Sequence, residues 1–93
     1  MENKRYLDKV IGFMVRGTNI DYEKKLLHFR FYNTHTSPSF PTLFFIDSLL
    51  YVSLPPPFFS SYCKNTFGLT SDEINYVFRQ WRGIMKDKIE NGE

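Results

Sequence analysis

The last third of the chain carries the signals of one long amphipathic helix. Thr70 and Glu73 have the spacing of a capping box, in which each side chain bonds the backbone N–H of the other residue. Asn91-Gly92 provides the helix end. Between these signals, apolar residues recur every three or four positions, at Ile74, Val77, Phe78, Trp81, Ile84, Met85 and Ile89. Such a stripe must be buried against another layer, so the preceding residues have to supply one.

The composition indicates a single folded domain without a disulfide framework. The 93 residues include ten Phe, six Tyr and one Trp, no Ala, and 12 Lys and Arg against 10 Asp and Glu. Aromatic content this high with so little net charge excludes a disordered tail. The single cysteine excludes an internal disulfide and a Cys-rich zinc site, and it favours a reducing, cytoplasmic setting. We expect one domain over 1–93, with a β-rich part at about 9–54 and a helical part at about 59–90.

Two segments of the first half have the composition or the alternation of β-strands. Residues 1–8 are expected to form a polar start that frays or makes a short turn. Val10–Val15 is rich in β-branched and aromatic residues, which favours a strand. Lys25–Tyr32 has every second residue apolar, the pattern of a half-buried strand. Because Gly17–Asp21 supplies turn residues between these segments, the sequence predicts an antiparallel pair.

Proline interrupts the apolar centre of the chain. Residues 42–46 and 49–52 are predicted as two further strands, while a helix over Pro41–Leu50 is the alternative. Pro55-Pro56-Pro57 stops whichever element precedes it. Together these elements predict an α+β fold. A small antiparallel sheet of three to four strands is followed by a C-terminal helical hairpin, whose long amphipathic helix packs on the sheet.

The residues that can support metal binding or catalysis are few. His28, His35 and Cys63 have no second ligand at close spacing. Cys63 is expected to be a packed small apolar residue rather than a nucleophile. No glycine-rich phosphate loop follows a predicted strand. We therefore expect no metal, no cofactor, no catalytic residue and no enzymatic activity.

Aromatic residues are concentrated in the middle of the chain. Eleven of the seventeen rings lie between Phe29 and Phe67, more than one face of a small sheet can bury. Some are therefore expected at the surface, where aromatic anchors are typical of protein interfaces. The alternative is that Phe replaces the smaller apolar residues of an ordinary core. The predicted interface residues are Phe40, Tyr51, Phe58, Phe59 and Tyr62.

This aromatic surplus predicts a small non-enzymatic protein-interaction module. It is expected to act stoichiometrically, as an adaptor or inhibitor, and to bind another protein, a second copy of itself, or both. The missing Ala, together with many Phe, Tyr, Asn, Lys and Ile, is compatible with an AT-rich coding source such as a virus or mobile element. Pro41, Asp47 and the three prolines interrupt the apolar stretch Phe40–Phe59, so no membrane segment is expected.

A second hypothesis comes from Ser60–Arg79, which resembles a helix-turn-helix unit with Gly68 in its turn. The resemblance implies a DNA-binding regulator whose second helix enters the major groove. The residues expected to contact DNA are Thr70, Ser71, Asn75, Arg79 and Arg82. The alternative is an αα-hairpin with a glycine turn, since Asp72 and Glu73 would bring negative charge to the phosphates.

Overall fold

A computed structural model of the chain describes residues 4–29, 43–46 and 52–92. Along these residues the elements are α1 (Lys4–Arg16), β1 (Thr18–Asp21), β2 (Leu26–Phe29), β3 (Leu43–Phe45), α2 (Pro57–Phe67) and α3 (Ser71–Asn91). Helices and a small antiparallel sheet place these residues in the α+β class, as predicted.

The sheet is built around β2. β1 and β2 form an antiparallel hairpin, with Thr18 opposite Phe29 and Asp21 opposite Leu26. β3 pairs antiparallel with the other edge of β2, so the strand order is β1-β2-β3. Leu27 and Phe29 are buried, whereas Leu26 and His28 are only half-buried. The predicted alternation is therefore confirmed over Leu26–Phe29. The rest of that predicted strand, residues 30–32, lies outside the described residues.

The two alternatives for the centre of the chain are distinguished at only a few residues. Leu43–Phe45 is a strand, so the helix alternative is wrong there, whereas Ile46 is helical, so the predicted strand is wrong at that residue. The turn at 47–48 and most of the second predicted strand, 49–52, lie outside the described residues. Pro57 stands in the first turn of α2, a position where proline needs no N–H partner, so the third proline begins a helix as well as ending a segment.

The strand predicted at Val10–Val15 is wrong, and so is the frayed polar start over residues 4–8, while residues 1–3 lie outside the described residues. Both segments contribute to one helix, α1. The β preference of Val, Ile and Phe is outweighed by helical spacing, because every apolar residue that packs inward lies on one stripe of the helix. The buried residues of α1 are Leu7, Val10, Ile11 and Met14.

The predicted long helix is confirmed as α3. The Thr70 Oγ1 accepts from the Glu73 backbone N–H at 3.2 Å, and the Glu73 carboxylate accepts from the Thr70 N–H at 2.8 Å. The helix ends at Gly92, whose φ of 74° is left-handed. Its buried residues belong to the predicted stripe, and they are Ile74, Val77, Phe78, Trp81 and Met85. Ile84 is the exception, since 36% of its surface is exposed.

The packing of α3 differs from the prediction. Among the described residues its main partner is α1, followed by α2, and its contact with the sheet is smaller. Contact with the sheet comes through Trp81, whose ring centroid lies 5.5 Å from that of Phe29. Because residues 4–16 form a helix instead of a strand, they supply a second amphipathic surface, and two helical stripes bury each other.

Candidate interaction surface

Four aromatic side chains meet where α1 approaches the C-terminal end of α2. Phe67, the last residue of α2, lies at their centre. Its ring centroid is 5.5 Å from that of Phe13 and 5.9 Å from that of Tyr62. Its carbonyl oxygen accepts a hydrogen bond from the Tyr6 hydroxyl at 3.0 Å. We call these four residues, Tyr6, Phe13, Tyr62 and Phe67, the aromatic patch.

Two residues of the aromatic patch are partly buried, and the other two are exposed. Tyr62 and Phe67 are partly buried and pack against the core cluster. Tyr6 and Phe13 are 45% and 39% exposed. Seven residues separate them, which is about two helical turns or about 10 Å, so they lie on the same side of α1. A molecule that approached this side would meet two accessible rings held in place by two others.

Local sequence positions both halves of the patch. The buried stripe of α1 fixes its rotation, and residues 6 and 13 fall at the margin of that stripe. Gly68 ends α2 with a φ of 68°, and its N–H bonds the Lys64 carbonyl at 3.0 Å. Helix termination leaves the Phe67 carbonyl without an N–H partner from the helix, and the Tyr6 hydroxyl takes that place.

The Tyr62 side chain is uncharged near neutral pH. Burial raises the pKa of Tyr62 above its usual 10.0, and a hydrogen bond with the Thr66 side chain lowers it in part. The Tyr62 phenol therefore stays protonated and keeps a polar tip on an apolar ring. Side chains of this kind are enriched in protein interfaces.

The structure places the predicted interface residues differently from one another. Phe59 is 0% exposed, so the expectation that it lies at the surface is wrong. Its ring packs edge-on to Phe78 at 5.1 Å and lies 5.3 Å from Trp81, because α2 turns this position towards α3. Phe59 is thus a core residue that a partner cannot reach in the folded chain.

The other predicted interface residues have three different outcomes. Phe58 is half-buried, with its ring 5.0 Å from Phe29. Tyr62 belongs to the aromatic patch. Phe40 and Tyr51 lie outside the described residues, so their role in an interface stays a prediction.

Sequence reasoning missed Tyr6, Phe13 and Phe67. The seven-residue spacing of the first two is visible in the sequence, but it has meaning only on a helix. The sequence instead predicts a polar start around Tyr6 and a strand around Phe13. Phe67 precedes Gly68, the predicted helix end, and this marks it as a terminal residue. Nothing in the local pattern brings it to Tyr6, which is 61 residues away.

The residues predicted to contact DNA lie along α3 and the turn before it. Thr70, Ser71 and Arg79 are exposed, whereas Asn75 and Arg82 are half-buried. The Thr70 hydroxyl is already bonded within the capping box. Arg79 lies about 12 Å beyond Ser71 along the helix axis, so these side chains do not form one cluster.

Candidate metal-binding groups are sparse in the described part of the chain. No three His, Cys, Asp or Glu residues within it are placed to hold a metal ion. His28 Nε2 lies 3.9 Å from Asp21 Oδ2 across the β-hairpin. Cys63 is fully buried, as expected for a packed residue, and burial raises the pKa of its thiol to about 12. His35 lies outside the described residues.

No protein-family model, curated protein or solved structure matches this chain. Its function must therefore be inferred from its own side chains. Within the described residues, no helix is both long enough and apolar enough to cross a bilayer. The aromatic patch is the surface feature that most needs a functional explanation.

Proposed function

We propose that this protein is a non-enzymatic interaction module that binds another protein through the aromatic patch. It acts stoichiometrically, as an adaptor or an inhibitor. The observation that supports the proposal is the exposure of Tyr6 and Phe13 beside two half-buried rings. Rings that are already held by their neighbours lose little conformational freedom on binding, which makes them effective anchors.

The patch differs from scattered surface apolar residues, which need no explanation. Phe67 contacts the rings of Phe13 and Tyr62, and its carbonyl bonds the Tyr6 hydroxyl, whereas Leu54 and Ile84 are exposed elsewhere, before α2 and on α3. The chain also has a core for large rings, since Phe29, Phe59 and Trp81 are fully buried. The exposed rings are thus additional to a complete aromatic core.

The test is capture of binding partners with full-length wild-type protein and with a variant that carries Tyr6→Ser and Phe13→Ser. We expect the variant to lose a partner that the wild-type protein retains, because both accessible rings are removed. Ile84→Ser is the matched control, since it removes an exposed apolar side chain from α3. Circular dichroism must show that all three proteins are folded.

Two results would count against this role. A folded double variant that retains every partner would show that the patch does not bind. Loss of partners with Ile84→Ser alone would place the interface on the surface of α3 that contains Ile84. Sedimentation of the wild-type protein alone decides whether the partner is a second copy, since a dimer that Phe13→Ser dissociates assigns the patch to self-association.

DNA binding through α2 and α3 is a second candidate, supported by the three-residue turn at 68–70 and by the exposed Ser71 and Arg79. A groove-binding protein loses affinity steeply as the salt concentration rises. Arg79→Ala with Arg82→Ala should then reduce the slope of affinity against salt. Absence of DNA binding at about 50 mM salt would exclude this second function.

A further inference from the structure

Exposed aromatic and basic side chains alternate along the outer side of α1. Tyr6, Lys9, Phe13 and Arg16 follow one another at spacings of three, four and three residues, so they form one row on the helix surface. All four are exposed. We call them the outer row. Its two rings belong to the aromatic patch, and its two cations extend the patch with positive charge.

The charge of α1 is strongly unbalanced. Its sequence contains Lys4, Arg5, Lys9 and Arg16 but only one acid, Asp8, which gives a net charge of +3 against +2 for the whole chain. The first turn contains no acidic residue to offset the helix dipole. The helix that supplies Tyr6 and Phe13 to the aromatic patch thus carries an excess of positive charge.

One of the two cations of the outer row lies along the helix surface. An Arg16 guanidinium nitrogen lies 3.1 Å from where a Cβ atom on Gly12 would be, so this side chain folds back along α1. A larger residue at position 12 would push the guanidinium away. Lys9 forms an ion pair with none of the carboxylates in the described part of the chain.

We infer that the outer row and the aromatic patch bind an acidic amphipathic helix of the partner, an inference that rests on the proposed function. The two rings are two turns apart, the distance at which a helix with heptad spacing repeats its apolar residues. Asp or Glu residues between those apolar positions would face Lys9 and Arg16. Charge pairing at the rim would fix the register of the two helices and speed their encounter.

Two other occupants fit the outer row less well. A second copy of α1 would bring the same positive charges together across a two-fold axis. Nucleic acid is attracted by positive charge, but a net charge of +2 for the chain is low for such a partner, and exposed rings at helical spacing match the apolar residues of another helix.

The test uses the full chain, labelled with nitrogen-15, and two synthetic helical peptides. Both peptides carry leucines at alternating three- and four-residue spacing, one with glutamates at the flanking positions and the other with lysines. We expect the acidic peptide to bind and to shift the amide signals of α1 and the end of α2. Raising the salt concentration should weaken this binding.

Substitutions then separate charge from aromatic contact. Lys9→Glu combined with Arg16→Gln should lower the affinity for the acidic peptide roughly tenfold, since two favourable charge pairs are lost and one repulsion is added. Lys86→Glu on α3 is the matched control and should leave the affinity unchanged. Phe13→Ser should weaken the binding of both the acidic peptide and any natural partner.

Several results would overturn the inference. Equal binding of both peptides would show that the rings alone account for the binding. The proposed function would then stand without an acidic partner. Failure of the acidic peptide to bind at about 1 mM would exclude this occupant. If a DNA duplex bound α1 more tightly than the acidic peptide does, DNA would be the occupant of the outer row instead. If a dimer formed through α1 and the acidic peptide did not dissociate it, the occupant would be a second copy of the chain. The proposed function fails separately, if the variant lacking both exposed rings keeps every partner.

Discussion

Thr18 connects α1, the sheet and α3 through a single hydroxyl group. The hydroxyl donates to the Met14 carbonyl at 2.7 Å and accepts from the Trp81 indole N–H at 3.1 Å. Thr18 and Trp81 are both buried, so water does not compete for these groups. All buried side-chain nitrogen and oxygen atoms in the described part of the chain have a partner. The core therefore accepts a polar group only where each donor and acceptor is satisfied.

Replacing Thr18 by Val should lower the free energy of unfolding by about 1–3 kcal/mol, because the Trp81 N–H then stays buried without an acceptor. Trp81→Phe removes that donor together with part of the ring. In the Trp81→Phe background, Thr18→Val should cost less. A double-mutant cycle measured by urea unfolding checks this. Equal costs in both backgrounds would show that the bond to Trp81 contributes nothing.

Cys63 should be chemically inert in the folded protein. Its thiol is buried and its pKa is raised from 9.0 to about 12, so at pH 8 a thiol-specific reagent should react only after unfolding. Reaction of the native protein at the rate of a free thiol would contradict this. A natural binding partner or redox role for Cys63 would require the core to open.

The raised pKa also makes folding stability depend on pH. Since the folded state holds the thiol proton more tightly, this contribution is complete below pH 9.0 and is lost as the pH rises towards 12. Between pH 9.0 and roughly pH 10, wild-type protein should lose about 1 kcal/mol more than Cys63→Ala. Urea titrations of both proteins at the two pH values measure the difference, and parallel losses would show that the thiol is not responsible.

The helices end where local sequence stops them, although their partners are distant. Gly68 and Gly92 both adopt left-handed φ angles at the C-terminal ends of α2 and α3. The capping box at Thr70 begins α3 only three residues after α2 ends. Across this short connection α2 and α3 contact each other, and the end of α2 lies where the Tyr6 hydroxyl reaches the Phe67 carbonyl.

Two glycines should respond in opposite ways to the same substitution. Gly68→Ala should lower the free energy of unfolding by about 1 kcal/mol, because a left-handed φ strains any residue with a Cβ atom. Gly83→Ala should raise it by roughly 0.5–1 kcal/mol, because position 83 lies inside α3 and an added Cβ atom would meet nothing within 4 Å. Thermal unfolding measures both. A stabilising Gly68→Ala would mean that the turn does not need its left-handed conformation.

At the scale of the whole molecule, buried and exposed rings have different tasks. Phe59, Phe78 and Trp81 contact one another where α2 meets α3. Tyr6 and Phe13 lie at the margin of the buried stripe of α1 and are partly exposed. The first group stabilises the fold, and the second is available for binding. Both groups come from one chain with an unusual aromatic content.

This division predicts different costs for similar substitutions. Phe59→Ser should lower the free energy of unfolding by about 3–5 kcal/mol, since it removes a fully buried ring and leaves a cavity. Tyr6→Ser and Phe13→Ser should each cost roughly 1 kcal/mol, because the rings are already partly exposed. Urea unfolding of the three variants tests the difference. Comparable losses would show that the patch is needed for folding.

The parts of the fold that the sequence predicts correctly depend on near neighbours. The Thr70 capping box, the stripe of α3 and the alternation in Leu26–Phe29 each involve contacts within a few residues or a simple period. A helix cap and a period can be recognised without knowing what lies opposite. For the same reason, the burial of Cys63 follows from its apolar neighbours on α2.

The identity of α1 and the position of the aromatic patch depend on distant contacts. Val10–Val15 has side chains suited to either a strand or a helix, and burial of its helical stripe against α3 decides between them. The patch exists only because Tyr6 and Phe67, 61 residues apart, become neighbours once α1 is a helix. Counting rings shows a surplus, but which rings stay accessible depends on how the helices pack, and packing is settled by the whole chain at once.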